Sequence, residues 1–210
     1  VTGVHVHDGG IGMNGPVAFP LTDAGNGTYV LAETTISPSN LDALTSGEWY
    51  LNVHTTANPS GEVRGQIVPD TTAVVTFSLS GSQEVPAVDT MAMGSGYALF
   101  DTTNNNVSLV AVTTIDNATM AHIHTGFAGV NGPVLEALVE SDETAGVWMT
   151  DGSVMLDEAT ATQLLSGGHY VNVHTAAFTG GEIRGQITPD NIEVYGIIAD
   201  GLQEVPAVTT

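Results

Sequence analysis

The chain has 210 residues, 42% of them apolar, with no cysteine and 23 acidic against two basic side chains, for a formal net charge of −21. The absent thiols exclude disulfides, thiolate nucleophiles and Cys-ligated zinc or iron–sulfur centres. The absent basic patch excludes nucleic acid and anionic membranes as partners, and no apolar run approaches the ~20 residues that span a bilayer. What remains is a globular chain whose surface favours cations and saline surroundings. Calcium is a possible ligand of the acidic loops at Asp151-Gly152 and Asp101 to Asn106, although neither has EF-hand spacing. The chain opens at Val1 with no Met and no signal peptide, as expected of a mature product, a fragment or a trimmed form.

Short β-rich elements fill the chain. His5-Val6-His7 reads as a strand, followed by an Asn14-Gly15-Pro16 turn. Ser39 to Leu44 before Gly47 reads as a short helix with glycine past its C-terminus. Asn52-Val53-His54 and Gly61 to Ile67 are further strands. Thr71 to Leu79 follows, then Gln83-Glu84-Val85-Pro86, read as a strand edge that tolerates proline. Gly96 to Phe100 and Asn106 to Ile115 alternate or run apolar with β-branched residues around an Asn104-Asn105-Asn106 turn. A second His-x-His strand at His122 to His124, a second helix over Leu156 to Leu165 before Gly167-Gly168, and strands at Asn172 and Gly181 to Ile187 complete the list.

These elements recur. His5-Val6-His7 and Asn14-Gly15-Pro16-Val17 return 117 residues later as His122-Ile123-His124 and Asn131-Gly132-Pro133-Val134. Asn52-Val53-His54-Thr55, Gly61 to Ile67 and Gln83 to Val88 return at an offset of 120. The pattern implies a partial unit over residues 1–70, a complete unit over 71–190, and over 191–210 the opening strand of a further unit or a donated strand. The piece absent from the first unit corresponds to Met91 through Met120 and reads as two strands. The expected fold is all-β: Greek-key sandwich or barrel units in tandem, with one short helix each.

Positions i and i+2 of a strand share a face, so His5 with His7, and His122 with His124, form ready two-imidazole chelates. His54 and His174 supply a third imidazole from another strand. Imidazole suits copper, zinc and nickel; the affinity order favours copper, and three histidines with an open position also describe zinc. His169 aligns with Trp49 and is not expected to be a ligand. In the Gly-Glu-Val/Ile-Arg-Gly-Gln-Ile motif, Glu62, Arg64 and Gln66 share one strand face. Glu62 and Glu182 are expected to orient a ligand histidine, and Arg64 and Arg184 to attract a small anion. No Gly-rich phosphate loop and no Gly-x-Ser-x-Gly elbow is present.

The segments GSQEVPAV, MAHIHTGFAGVNGPV and GGHYVNVHTAAFTGGEIRGQI, in this order, resemble the chordin (CHRD) domain over about Ser80 to Pro189. VHVHDGGIGMNGPVAFPL with GEWYLNVHTTANPSGEVRGQI resembles the latter part of a second copy. The resemblance implies a β-rich extracellular or cell-surface protein, secreted, from a bacterium or archaeon. The pattern also resembles the copper/zinc superoxide dismutase barrel. That implies His5, His7 and His54 as one copper set, His122, His124 and His174 as the other, and Arg64 and Arg184 as anion guides for at most a dismutase-like activity. The dismutase pattern's fourth copper histidine, zinc loop and disulfide have no counterpart here. The alternative expectation is a structural surface or filament protein. In it, Val194 to Thr210 of one chain self-associates with the truncated unit of the next by strand donation.

Overall fold

The computed structural model describes residues 1–189. The opening strand or donated strand expected over 191–210 lies outside the described residues. The described chain is all-β, with two short helices.

The first 67 residues form an open sheet. Its strands are β1 (Gly3–Asp8), β2 (Val17–Pro20), β5 (Trp49–His54) and β6 (Val63–Ile67), hydrogen-bonded in the order β2-β1-β5-β6. A small hairpin of β3 (Thr22–Gly25) and β4 (Thr28–Val30) and the helix α1 (Pro38–Thr45) lie between β2 and β5. Ser37 caps α1 by accepting from the Asn40 N–H, and Gly47 just past the helix adopts φ +71°, the left-handed geometry that glycine supplies at no steric cost. No residue of α1 is buried.

The second region is a closed barrel. Its strands are β7 (Thr72–Ser80), β8 (Met93–Asp101), β9 (Asn106–Thr113), β10 (Ala118–Thr125), β11 (Val134–Glu140), β12 (Val147–Met149), β14 (His169–Thr175) and β15 (Ile183–Ile187). Around the barrel the order is β12-β11-β10-β14-β15-β7-β8-β9, and β9 returns to pair with β12. The meander β10-β11-β12 lies beside β9, which precedes it in the chain, giving the Greek-key connection. A two-residue strand β13 (Val154–Met155) adds to β9, and the helix α2 (Glu158–Leu165), capped by Asp157, precedes β14.

Strand alternation builds the core. Val75, Phe77 and Leu79 of β7 point inward, with Leu109 and Ala111 of β9, Ala121 and Ile123 of β10, Val171 and Val173 of β14, and Ile183 and Ile187 of β15. Leu164 of α2 closes one end of this cluster. Closure leaves no unpaired edge on the barrel, the usual way that antiparallel sheets remove the edge-strand liability.

Two expectations change in detail. Gln83 to Val88 is not a strand edge: Gly81–Gln83 is a turn of 3-10 helix, and the Val88 N–H donates back to the Gly81 carbonyl at 2.8 Å. The Glu84 N–H also donates to the Gly81 carbonyl, so these backbone donors are not free to join a ladder. The second helix begins at Glu158 rather than Leu156, because Leu156 is buried in the core and Asp157 takes the cap. The open sheet touches the barrel through the loop after β1, where the Asn14 amide donates to the Glu143 carboxylate at 2.7 Å.

Candidate metal centre

Pairing of β1 with β5 sets His5 opposite Asn52, with His54 at the neighbouring end. Pairing of β10 with β14 sets His122 opposite Asn172 and Met120 opposite His174. Each sheet therefore delivers three imidazoles to one face. In both sets, His5/His7/His54 and His122/His124/His174, one ring nitrogen from each residue lies within 4.8 Å of the other two. These two sets are the groups of three or more potential ligand side chains among the described residues.

The rings are held by backbone carbonyls. His7 Nδ1–H donates to Gly15 O at 2.8 Å and His54 Nδ1–H to Pro59 O at 2.9 Å. In the barrel, His124 Nδ1–H donates to Gly132 O and His174 Nδ1–H to Thr179 O, each at 3.0 Å. Fixing the proton on Nδ1 leaves the Nε2 lone pair for a metal. The Nε2 atoms of His7, His54 and His124 and the Nδ1 of His5 are buried without a partner among the described residues. In the barrel, His122 Nδ1 lies 3.0 Å from His174 Nε2. Buried, unpaired ring nitrogens are costly unless something occupies the space between them. Each set thus presents one Nδ1 and two Nε2 atoms to a common point, a donor set that fits copper or zinc.

Burial holds His5, His122, His124 and His174 below the usual imidazole range, and neighbouring imidazoles add to this at His5, His122 and His174. These side chains are neutral near pH 7, the form that ligates.

The arginines serve these histidines from behind. Arg184 is 1% exposed. Its guanidinium donates to the carbonyls of Phe127 and Val130 and to Gln186, and lies 3.4 Å from the centre of the Tyr170 ring. Tyr170 in turn stacks on His124, with ring centres 4.9 Å apart. Arg64 repeats the arrangement with Met13 O, Gly10 O, Gln66 and Tyr50, and Tyr50 stacks on His7. The terminal guanidinium nitrogens thus reach loop carbonyls and neighbouring amide side chains, and a tyrosine ring links each arginine to a histidine of the cluster. Glu182 accepts from the hydroxyls of Thr175 and Thr90, and Glu62 accepts from Thr55. Each glutamate steadies the residue after the third histidine and does not touch an imidazole. His169 is fully buried in the barrel and belongs to neither set.

The residues that sequence reasoning passed over are Gly15 and Gly132, assigned there to turn chemistry. A Cβ on Gly15 would lie 1.5 Å from the Asp8 carbonyl oxygen, and one on Gly132 would lie 1.6 Å from that of Thr125. Only glycine lets the loop pass that close and place its carbonyl on His7 or His124. The phenols of Tyr50 and Tyr170 accept from the N–H groups of the same two glycines, each at 3.2 Å. The recurrence of Asn-Gly-Pro at the same distance after each His-x-His was the available signal. Both acidic loops considered for calcium, Asp101 to Asn106 and Asp151-Gly152, line one cleft between the open sheet and the barrel. The Asp101 carboxylate is engaged locally, by Thr103.

The fold and its two histidine clusters define an all-β barrel protein with paired tri-imidazole centres. The CHRD domain family model matches residues 1–67 and 75–187, and the chain belongs to that family. No curated protein and no solved structure matches the chain. Among the described residues, no helix is long and apolar enough to cross a membrane.

Proposed function

We propose that this chain is an extracellular metal-binding protein of a partial CHRD unit over about 1–70 and a complete one over about 71–190, each holding one copper-type ion. The ligands are His5, His7 and His54 in the first unit and His122, His124 and His174 in the second. One observation carries the reading: in each set the ring nitrogens not clamped by carbonyls converge, with those of His5, His7, His54 and His124 buried and unpaired and His122 Nδ1 facing His174 Nε2 at 3.0 Å. Zinc fits the same donors; copper is preferred by the affinity order for nitrogen sites. Glu62 and Glu182 brace the strand ends. Arg64 and Arg184 hold the tyrosines that pack against His7 and His124.

Three imidazoles leave a coordination position open, which is what dismutase-like chemistry on superoxide requires. Metal content after copper exposure and exhaustive dialysis tests the binding. About two coppers per chain are expected by the ligand count, with loss of both in a His5→Ala/His122→Ala double variant. Equal metal in wild type and double variant, or none in either, overturns the assignment. Superoxide decay with the copper-loaded chain, against the same copper free in buffer, separately decides whether there is turnover.

A further inference from the structure

The two histidine sets share their strands and register but differ in one neighbour. On β1, Val4 and Val6 are buried on one face, so Gly3, His5 and His7 lie on the other. On β10, Ala121 and Ile123 are core residues, so Met120, His122 and His124 share the face that carries the cluster. The position two before the first histidine is therefore glycine in the open sheet and methionine in the barrel. Strand pairing sets each opposite the third histidine: Gly3 faces His54 and Met120 faces His174.

That position abuts the imidazoles. A Cβ on Gly3 would lie 3.1 Å from Cε1 and 3.3 Å from Nε2 of His5. The matching side chain on β10 starts beside His122 and across the ladder from His174, where His122 Nδ1 and His174 Nε2 already lie 3.0 Å apart. Directly opposed residues of an antiparallel pair hold their Cβ atoms about 4.5–5.5 Å apart, and an unbranched thioether chain adapts readily to such a gap. Met120 is 47% exposed and takes no part in the barrel's core cluster. Core packing therefore gives no reason for a large apolar side chain there.

We infer that the Met120 thioether is a fourth ligand of the barrel centre, with no counterpart at Gly3, and that it biases the barrel centre toward Cu(I). The inference rests on the reading of the histidine sets as copper sites. A thioether is a soft donor that favours Cu(I), whereas imidazole also serves harder ions such as Cu(II). The sulfur is neutral at every pH, so it adds a ligand without the negative charge that would favour the higher oxidation state. The two centres thus divide. The barrel centre holds reduced copper through three imidazoles and a sulfur, and the open-sheet centre offers three imidazoles and an open position.

Full-length chains carrying one centre each test the inference. His5→Ala leaves the barrel centre and His122→Ala the open-sheet centre. Each is loaded with copper under anaerobic, reducing conditions, then read by X-ray absorption at the copper edge and by competition with a chromogenic Cu(I) chelator. A sulfur scatterer is expected in the His5→Ala chain and only nitrogen or oxygen in the His122→Ala chain. Adding Met120→Leu to His5→Ala keeps the bulk of the side chain. It should abolish the sulfur signal and weaken Cu(I) binding about tenfold or more, at least the loss seen when groups that merely support a ligand are removed. Cu(II) binding should change far less, and Met120→Leu added to His122→Ala should change neither. Copper held by His5→Ala through nitrogen alone, or Cu(I) binding unmoved by Met120→Leu, would overturn this inference and leave the histidine sites standing. No copper in either single-centre chain would overturn the copper reading itself and this inference with it.

Discussion

The open sheet and the barrel place the same three histidines on the same strands, yet one does so with half the scaffold. In the barrel, β14 and β15 are buried throughout and α2 buries Ala161 and Leu164. In the open sheet, neither β6 nor α1 has a buried residue. The carbonyl clamps on the imidazoles, the Arg–Tyr–His stacking and the Asn-Gly-Pro loop are nevertheless present in both. Geometry of the histidine cluster is therefore set by one pair of antiparallel strands and one loop. Stability is set by what covers them from behind.

The largest expected contrast is in the helices. Leu164→Ala should cost the barrel about 2–5 kcal/mol through lost burial and the cavity left behind. The matching Leu44→Ala should cost the open sheet under ~1 kcal/mol, since α1 has no buried face. Denaturant unfolding followed at Trp148 and Trp49 separately reads each region. Equal losses would mean that α1 is packed as tightly as α2.

Acid should separate the regions next. His169 is fully buried, and burial pulls its pKa down to about 4; Trp49 stands in its place in the open sheet. Above pH 6.5 the ring is neutral in both the folded and unfolded chain. As pH falls from 6.5 toward 4 the unfolded chain takes up the proton first, so the barrel loses on the order of 3 kcal/mol. His169→Phe should remove that acid-dependent loss and leave the open sheet's unfolding unchanged.

Glu84 works in the opposite direction. Burial raises its pKa to about 7, against a smaller opposing pull from Arg184. The unfolded chain releases this proton near pH 4.5 and the folded barrel near 7, so stability falls as pH rises through that window, by on the order of 3 kcal/mol. Glu84→Gln keeps an acceptor for Asn172 and should flatten the barrel's pH profile between 4.5 and 7; an unchanged slope would assign it to other groups.

The smallest contrast expected is at the loops. Gly15→Ala and Gly132→Ala each push the loop off the strand and weaken the carbonyl clamp on one ligand histidine. Copper affinity at the altered centre should drop about tenfold or more, as when supporting hydrogen bonds to metal ligands are lost, and by similar factors in both regions. A drop confined to the barrel would show that the closed scaffold, rather than the loop, fixes the ligand.

Much of this was legible in the chain itself. Period-two spacing put His5 with His7 and His122 with His124, and glycine past Leu44 and Leu165 marked the helix ends. The Gln-Glu-Val-Pro segment was misread as strand because its composition is strand-like; the turn that folds it depends on a bond between Gly81 and Val88 and on side chains that reach Asn172 and Gln186. The short β2 to β4 and β11 to β13 were missed because strands of two to seven residues with mixed exposure carry little periodicity.

The sequence by itself determined the all-β class, the recurrence of the units and the identity of the six histidines, because local propensity, alternation and repetition are properties of neighbouring residues. Tertiary structure alone decided three things: that β9 returns to β12 to close the barrel, that the third imidazole of each set meets the first two, and that carbonyls of Gly15, Pro59, Gly132 and Thr179 hold the rings. The strand pairings and the Gly15 and Gly132 clamps join residues distant in the chain; even the five-residue reach from His54 to Pro59 and from His174 to Thr179 depends on where the loop is packed. None of these can be read from spacing.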